Sequence, residues 1–145
     1  MAAPEESLSL LVGQIAKALN RAFDDVLVAA GGSSPVWQVL RALSAGHHRT
    51  QAELAEAIGV RQPTLTHHLD AMERAGLVAR EREDTNRRAQ NVTVTEAGEH
   101  LFLRLRRAAA SFDGRLRAGL DDDDVARLRR LLDQLAENAR PDWTP

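Results

Sequence analysis

A mainly α-helical fold with one small β-hairpin is predicted for this 145-residue chain by three observations. Apolar residues recur every three or four positions over most of its length. Between Thr50 and Gly76, caps and turns mark out two short helices in succession. After them, two short apolar runs flank one polar stretch. With three Phe, two Trp and no Tyr, the core must come from Leu, Ala, Val and Ile, which suits packed helices. The length fits one core, so one compact domain per chain is expected.

The first helix is read from Glu5 to Ala30, where Leu8, Leu11, Ile15, Leu19, Ala22 and Val26 share one face. Gly31-Gly32-Ser33-Ser34-Pro35 breaks it. Ser34 as N-cap and Pro35 in the first turn open a second helix to Ser44, which buries Val36, Leu40 and Leu43. Thr50-Gln51-Ala52-Glu53 has the spacing of a capping box and starts a short helix through Ile58. Gly59 supplies the left-handed residue that ends it. Pro63 then sits in the first turn of a further helix, with Leu65, Leu69 and Met72 inward and Gly76 as its stop.

Leu77-Val78-Ala79 and Asn91-Val92-Thr93-Val94 read as two strands, and Arg80 to Arg88 between them as a polar hairpin or wing. Thr95 caps a helix with Leu101, Leu105 and Ala108 or Ala109 inward. A last helix starts in Asp121-Asp122-Asp123-Asp124, where carboxylates suit the positive end of the helix dipole. Its apolar residues Val125, Leu128, Leu132 and Leu135 step by three, four and three, a coiled-coil-like seam. The order is that of a winged helix-turn-helix flanked by N- and C-terminal helices. Residues 35–95 form the winged lobe. Residues 1–30 and 96–145 form a helical dimerisation region, because their apolar stripes, Leu8 and Leu11 included, exceed what a small winged lobe covers.

No cysteine is present, which excludes disulfides, thiolate metal ligands and a thiol redox switch. The start of the chain lacks a basic leader, and no apolar run approaches the ~20 residues that span a bilayer. A cytoplasmic protein with no membrane partner is expected. The net charge is −2, divided as 0 over residues 1–50, −3 over 51–99 and +1 over 100–145. Any nucleic-acid contact must therefore come from a local arrangement of basic groups rather than a generally basic surface.

In a helix-turn-helix, the start of the second helix enters the major groove of double-stranded DNA. Here that start is Arg61, Gln62, Pro63, Thr64, Thr66 and His67. Gln62 suits adenine, Arg61 guanine or a phosphate, and the threonines a phosphate or a thymine methyl. The bland alternative is an exposed helix start with Thr64 as a local cap. At the wing tip, Arg87 and Arg88 suit a narrow minor groove. Arg80 and Arg82 are equally well read as pairing with the hairpin's own Glu81, Glu83 and Asp84.

The pairs His47-His48 and His67-His68 invite a metal, but adjacent helical residues diverge by about 100° and no cysteine assists, so a loop pair and a surface pair are expected. The aspartate run lacks the spaced ligands and glycine of a calcium loop. No catalytic constellation, cofactor motif or metal site is read.

Gln51-Ala52-Glu53-Leu54-Ala55, Gly59 to Thr66, Leu69 to Val78, Arg87-Arg88-Ala89 and Val94-Thr95-Glu96-Ala97-Gly98 resemble the MarR family of bacterial transcriptional regulators. The resemblance covers roughly half the chain closely, and the flanking helices match in order and length. It implies a homodimer whose terminal helices form the interface and whose two lobes read a near-palindromic site. It also implies repression relieved by a small, frequently aromatic ligand between the dimer region and the lobe. By that analogy Arg21, Phe23, Trp37 and Arg41 are pocket residues, with plain core packing the alternative for Trp37. The family often has Ser or Thr where Arg61 stands, Arg where His67 stands, and Asp where Asn86 stands.

Two other readings come from different classes. A dimeric interaction or antirepressor protein would keep the fold without binding DNA, as the acidic central segment suggests. A metal-sensing winged helix of the ArsR type is suggested by His67-His68-Leu69, although that family is usually shorter and lacks so long a pair of C-terminal helices.

Overall fold

The computed structural model describes residues 7–46, 50–82 and 90–141. Its elements are α1 (Leu8–Ala29), α2 (Ser34–Ser44), α3 (Gln51–Ile58), α4 (Gln62–Arg74), β1 (Val78–Arg82), β2 (Gln90–Val94), α5 (Glu96–Leu116) and α6 (Asp122–Asn138). This is the expected winged helix-turn-helix order. The chain divides into two compact units, residues 1–110 and 111–145.

In the first unit, Leu27, Val39, Leu40, Leu54, Leu65, Leu69, Met72, Val78, Val92, Leu101 and Leu105 form one buried cluster. Every helix from α2 to α4 contributes to it, as does each strand. The inward residues expected on α4 are Leu65, Leu69 and Met72, and all three are buried. Along α1, by contrast, Leu27 alone is buried. Leu8, Leu11, Ile15 and Leu19 are 55%, 39%, 50% and 39% exposed, so the apolar face of that helix is largely bare in the single chain.

The helix starts follow local chemistry. Thr50 and Glu53 make both halves of the capping box, the Glu53 amide donating to Thr50 Oγ1 and the Thr50 amide to Glu53 Oε2, each at 3.2 Å. Gly59 closes α3 at φ 76°. The cap of α2 differs from expectation: Ser33 is extended, and its Oγ accepts from the Val36 amide, so α2 begins at Ser34, one residue early. With two serines before one proline, spacing did not distinguish them. The start of α1 also differs, at Leu8, and Glu5 lies outside the described residues.

The strands pair antiparallel, with Val78 opposite Val94 and Arg82 opposite Gln90. They are longer than the alternation predicts, and β1 begins at Val78, because Leu77 is committed to the end of α4, its amide donating to Met72 O at 2.9 Å. Thr95 ties that turn to α5: its hydroxyl donates to the Gly76 carbonyl and accepts from the Gly98 amide. Gly98 is needed there for space. A Cβ on it would lie 2.7 Å from Val94 Cγ1 and closer still to the Leu77 carbonyl oxygen.

In the second unit, α6 opens with a capping box made by Asp121 and Asp124. None of its described residues is buried: Leu128 and Leu132 are 49% and 45% exposed, and Val125 and Leu135 are half-buried. No helix among the described residues is long and apolar enough to cross a membrane.

Candidate nucleic-acid interface

The start of α4 is built to be presented. Arg61 is its N-cap in extended conformation, with no side-chain cap, and Pro63 sits in the first turn. Arg61, Gln62, Pro63 and Thr64 are all exposed, as is His67 one turn later. Thr64 does not cap the helix. Thr66 is different. It is half-buried, accepts from Gln51 Nε2 on α3 and donates to the Gln62 carbonyl at 3.0 Å. His67 and His68 have ring centroids 5.9 Å apart and tilted planes.

Towards its other end α4 is fixed by charge. Arg80 on β1 places Nη2 2.6 Å from both Asp70 Oδ1 and Glu73 Oε2, and its Nε donates to Glu73 Oε2 at 3.1 Å. Both carboxylates come from α4, not from the hairpin acids that spacing had offered as partners, which corrects that expectation. The hydrogen bond from Arg80 holds the Glu73 carboxyl below its ordinary range, and the same bond raises Arg80. Strand β1 is thereby fastened to α4 by a largely shielded guanidinium, 17% exposed. Arg82, two residues on, is exposed.

An isolated bridge between Thr50 and Asn91 adds a third tie, from the first turn of α3 to β2. Neither this bridge nor the contacts of Gln51 and Arg80 were found from sequence, because each joins residues brought together only by the fold. The wing-tip residues Arg87 and Arg88, with Asn86, and the pair His47-His48 lie outside the described residues.

The residues proposed for a ligand pocket lie in different settings on α1 and α2. Trp37 stacks on Phe102, centroids 5.7 Å apart and planes 19° from parallel, and both lie against the core with Phe23. Arg41 is exposed and lines a groove of about 320 Å³ with Gln38, Ala42, Ala45, Ala57 and Ile58. Arg21 is exposed on α1.

The MarR family model matches residues 31–89, which include α2, α3, α4 and β1. The chain is similar to the transcriptional repressor CouR bound to a 23-mer DNA duplex, with 25% identity over 89% of this chain and 92% of that one, at a TM-score of 0.80. It is similar to the PcaV transcriptional regulator from Streptomyces coelicolor in complex with its natural ligand, with 25% identity over 97% and 100%, at 0.76. A cysteine-to-serine variant of MarR from E. coli complexed with operator DNA shares the fold, with 22% identity over 88% and 92%, at 0.78. A matched segment that holds the helix-turn-helix, together with the fold on either side of it, leads to one conclusion: residues 31–89 match the MarR family, and the chain has the winged helix-turn-helix fold of MarR-family transcriptional regulators.

Proposed function

We propose that the chain is a homodimeric repressor that binds a near-palindromic DNA site and leaves it when a small-molecule ligand binds. The observation that carries the DNA reading is the uncovered start of α4, where Arg61, Gln62, Pro63, Thr64 and His67 are exposed on a helix anchored at both ends. Groups that read base edges must be desolvated by DNA, not already by protein. The similarity to CouR, described bound to a duplex, supports this. Arg87 and Arg88 are assigned to the minor groove. PcaV, described with its natural ligand, supports a ligand-responsive protein, for which Arg41 and its groove, with Arg21, Phe23 and Trp37, remain the proposed contacts.

Dimerisation is proposed from the bare faces of α1 and α6. Leu8, Leu11, Val125, Leu128, Leu132 and Leu135 are the assigned interface, and a helix with no buried residue draws little stability from its own chain. Cytoplasmic placement is part of the same reading.

The test is a gel shift with duplex from the protein's own upstream region at two salt concentrations. Binding that weakens steeply as salt rises is expected, because arginine–phosphate contacts release counterions. No retardation at low salt would overturn it and favour the fold-retaining interaction protein that the net charge of −3 over residues 51–99 suggests. Selection of bound genomic fragments then locates the targets.

A further inference from the structure

We infer that Thr66 and Gln51 are positioning residues that set the register of Gln62 for base readout, and that the Thr66 hydroxyl does not itself hold a phosphate. The inference rests on the DNA reading of α4 given above. A threonine hydroxyl has one proton to donate and two lone pairs. In this structure the proton goes to the Gln62 carbonyl, 3.0 Å away, and one lone pair accepts the Gln51 amide. A phosphate oxygen only accepts, as does O4 of thymine, so while the Gln62 bond stands Thr66 has no proton to give either.

What the hydroxyl does is join three points. Gln62 is the first residue of α4, and its side chain is exposed. Its carbonyl is held by Thr66, and Thr66 by the first residue of α3. That turn of α3 is itself fixed by the Thr50 capping box and by the bridge to Asn91 on β2. Base readout needs side chains placed to fractions of an ångström, and the chain β2, Thr50, Gln51, Thr66, Gln62 supplies a support for one of them. Sequence spacing could not show it, because Gln51 and Thr66 are fifteen residues apart.

The distinction is measurable because positioning and phosphate contact leave different signatures. Affinity for the selected site and for unrelated duplex is measured over a salt series for wild type, Thr66→Val, Thr66→Ser and Gln51→Met, with thermal melts of each protein in the same buffer. Thr66→Val keeps the shape and removes the hydroxyl. It is expected to lose about tenfold in affinity for the selected site, with affinity for unrelated duplex within about twofold of wild type. Thr66→Ser restores binding. Gln51→Met shows a loss like that of Thr66→Val, and the double variant loses no more than either single one, because both remove the same interaction.

Site affinity equal to wild type in both Thr66→Val and Gln51→Met overturns the positioning role alone. An equal loss of affinity for the selected site and for unrelated duplex in Thr66→Val also overturns it and makes the hydroxyl a phosphate contact, because phosphate contacts carry no sequence information. A wild type that retards no duplex overturns this inference together with the DNA reading. If Thr66→Val does not fold, Gln51→Met reports on the same bond from the other side.

Discussion

Arg80 shows how one side chain can be read correctly as a cation and still be misplaced. Its neighbours in sequence are Glu81, Glu83 and Asp84, yet the guanidinium turns back to Asp70 and Glu73 on α4. The titration consequence follows from the sign of the shift at Glu73. Its folded value lies below the ordinary 4.5, so the ion pair stabilises the fold above that pH and is lost as the pH falls through the folded value. Chemical denaturation of Glu73→Gln across pH 3 to 7 is expected to show a shallower loss of stability on the acid side than wild type. Parallel profiles would mean that the contact contributes nothing measurable.

Gly98 is the opposite case, a residue whose absent side chain matters. A methyl there meets Val94 Cγ1 at 2.7 Å and the Leu77 carbonyl, and a backbone oxygen cannot swing aside as a side-chain tip can. Gly98→Ala is therefore expected to cost about 1–3 kcal/mol by overpacking, read as a shift in urea midpoint at constant m-value. The gain in helix propensity from glycine to alanine, up to about 1 kcal/mol, works against the clash and does not remove it.

Among the elements, α4 carries the most and is held by the most. Leu65 and Leu69 are fully buried and Met72 nearly so, so Leu69→Ala leaves a cavity in the centre of the lobe and is expected to cost about 2–5 kcal/mol. Thr50→Ala, which removes one half of the α3 capping box, is expected to cost about 1 kcal/mol. The order of these two losses in one set of denaturation curves tests whether packing outweighs capping here.

What was legible from sequence divides along the same line. The capping box at Thr50, the left-handed Gly59 and the helix start in the aspartate run from Asp121 depend on residues within four positions of one another, and those readings held, while the capping box that Asp121 makes with Asp124 was not read. The paired serines before Pro35 gave a cap misplaced by one, because spacing alone carries no geometry. The strands were legible where apolar residues alternate and were missed at Arg80, Glu81 and Arg82, whose pairing with β2 is a matter of register. Of the interface, the exposed start of α4 could be anticipated from its caps. The supports behind it, Gln51 from α3 and Arg80 from β1, could not, since no local signal marks a residue that acts across the fold.

For the whole molecule the open apolar faces decide. Each compact unit displays exposed leucines, on α1 in one and on α6 in the other, and these are the faces assigned to the proposed dimer. Replacing Leu128 and Leu132 with aspartate, or deleting residues 120–145, is expected to convert a dimer to a monomer in light scattering. DNA affinity then falls because two half-sites are no longer read by one particle. A wild type that is monomeric at micromolar concentration would refute the assignment.

The fastening of α4 at both ends has a further consequence, in time rather than in space. Its first turn is held through Thr66 and Gln51, and its last turns through Asp70 and Glu73. A helix tied in this way lacks an independent opening motion. Its amide hydrogens are therefore expected to exchange with solvent in step with those of α3, β1 and β2, as one cooperative unit, which a hydrogen-exchange time course measures. Thr66→Val or Glu73→Gln is expected to release one end, so that exchange begins at that end of α4 while the rest of the lobe stays protected.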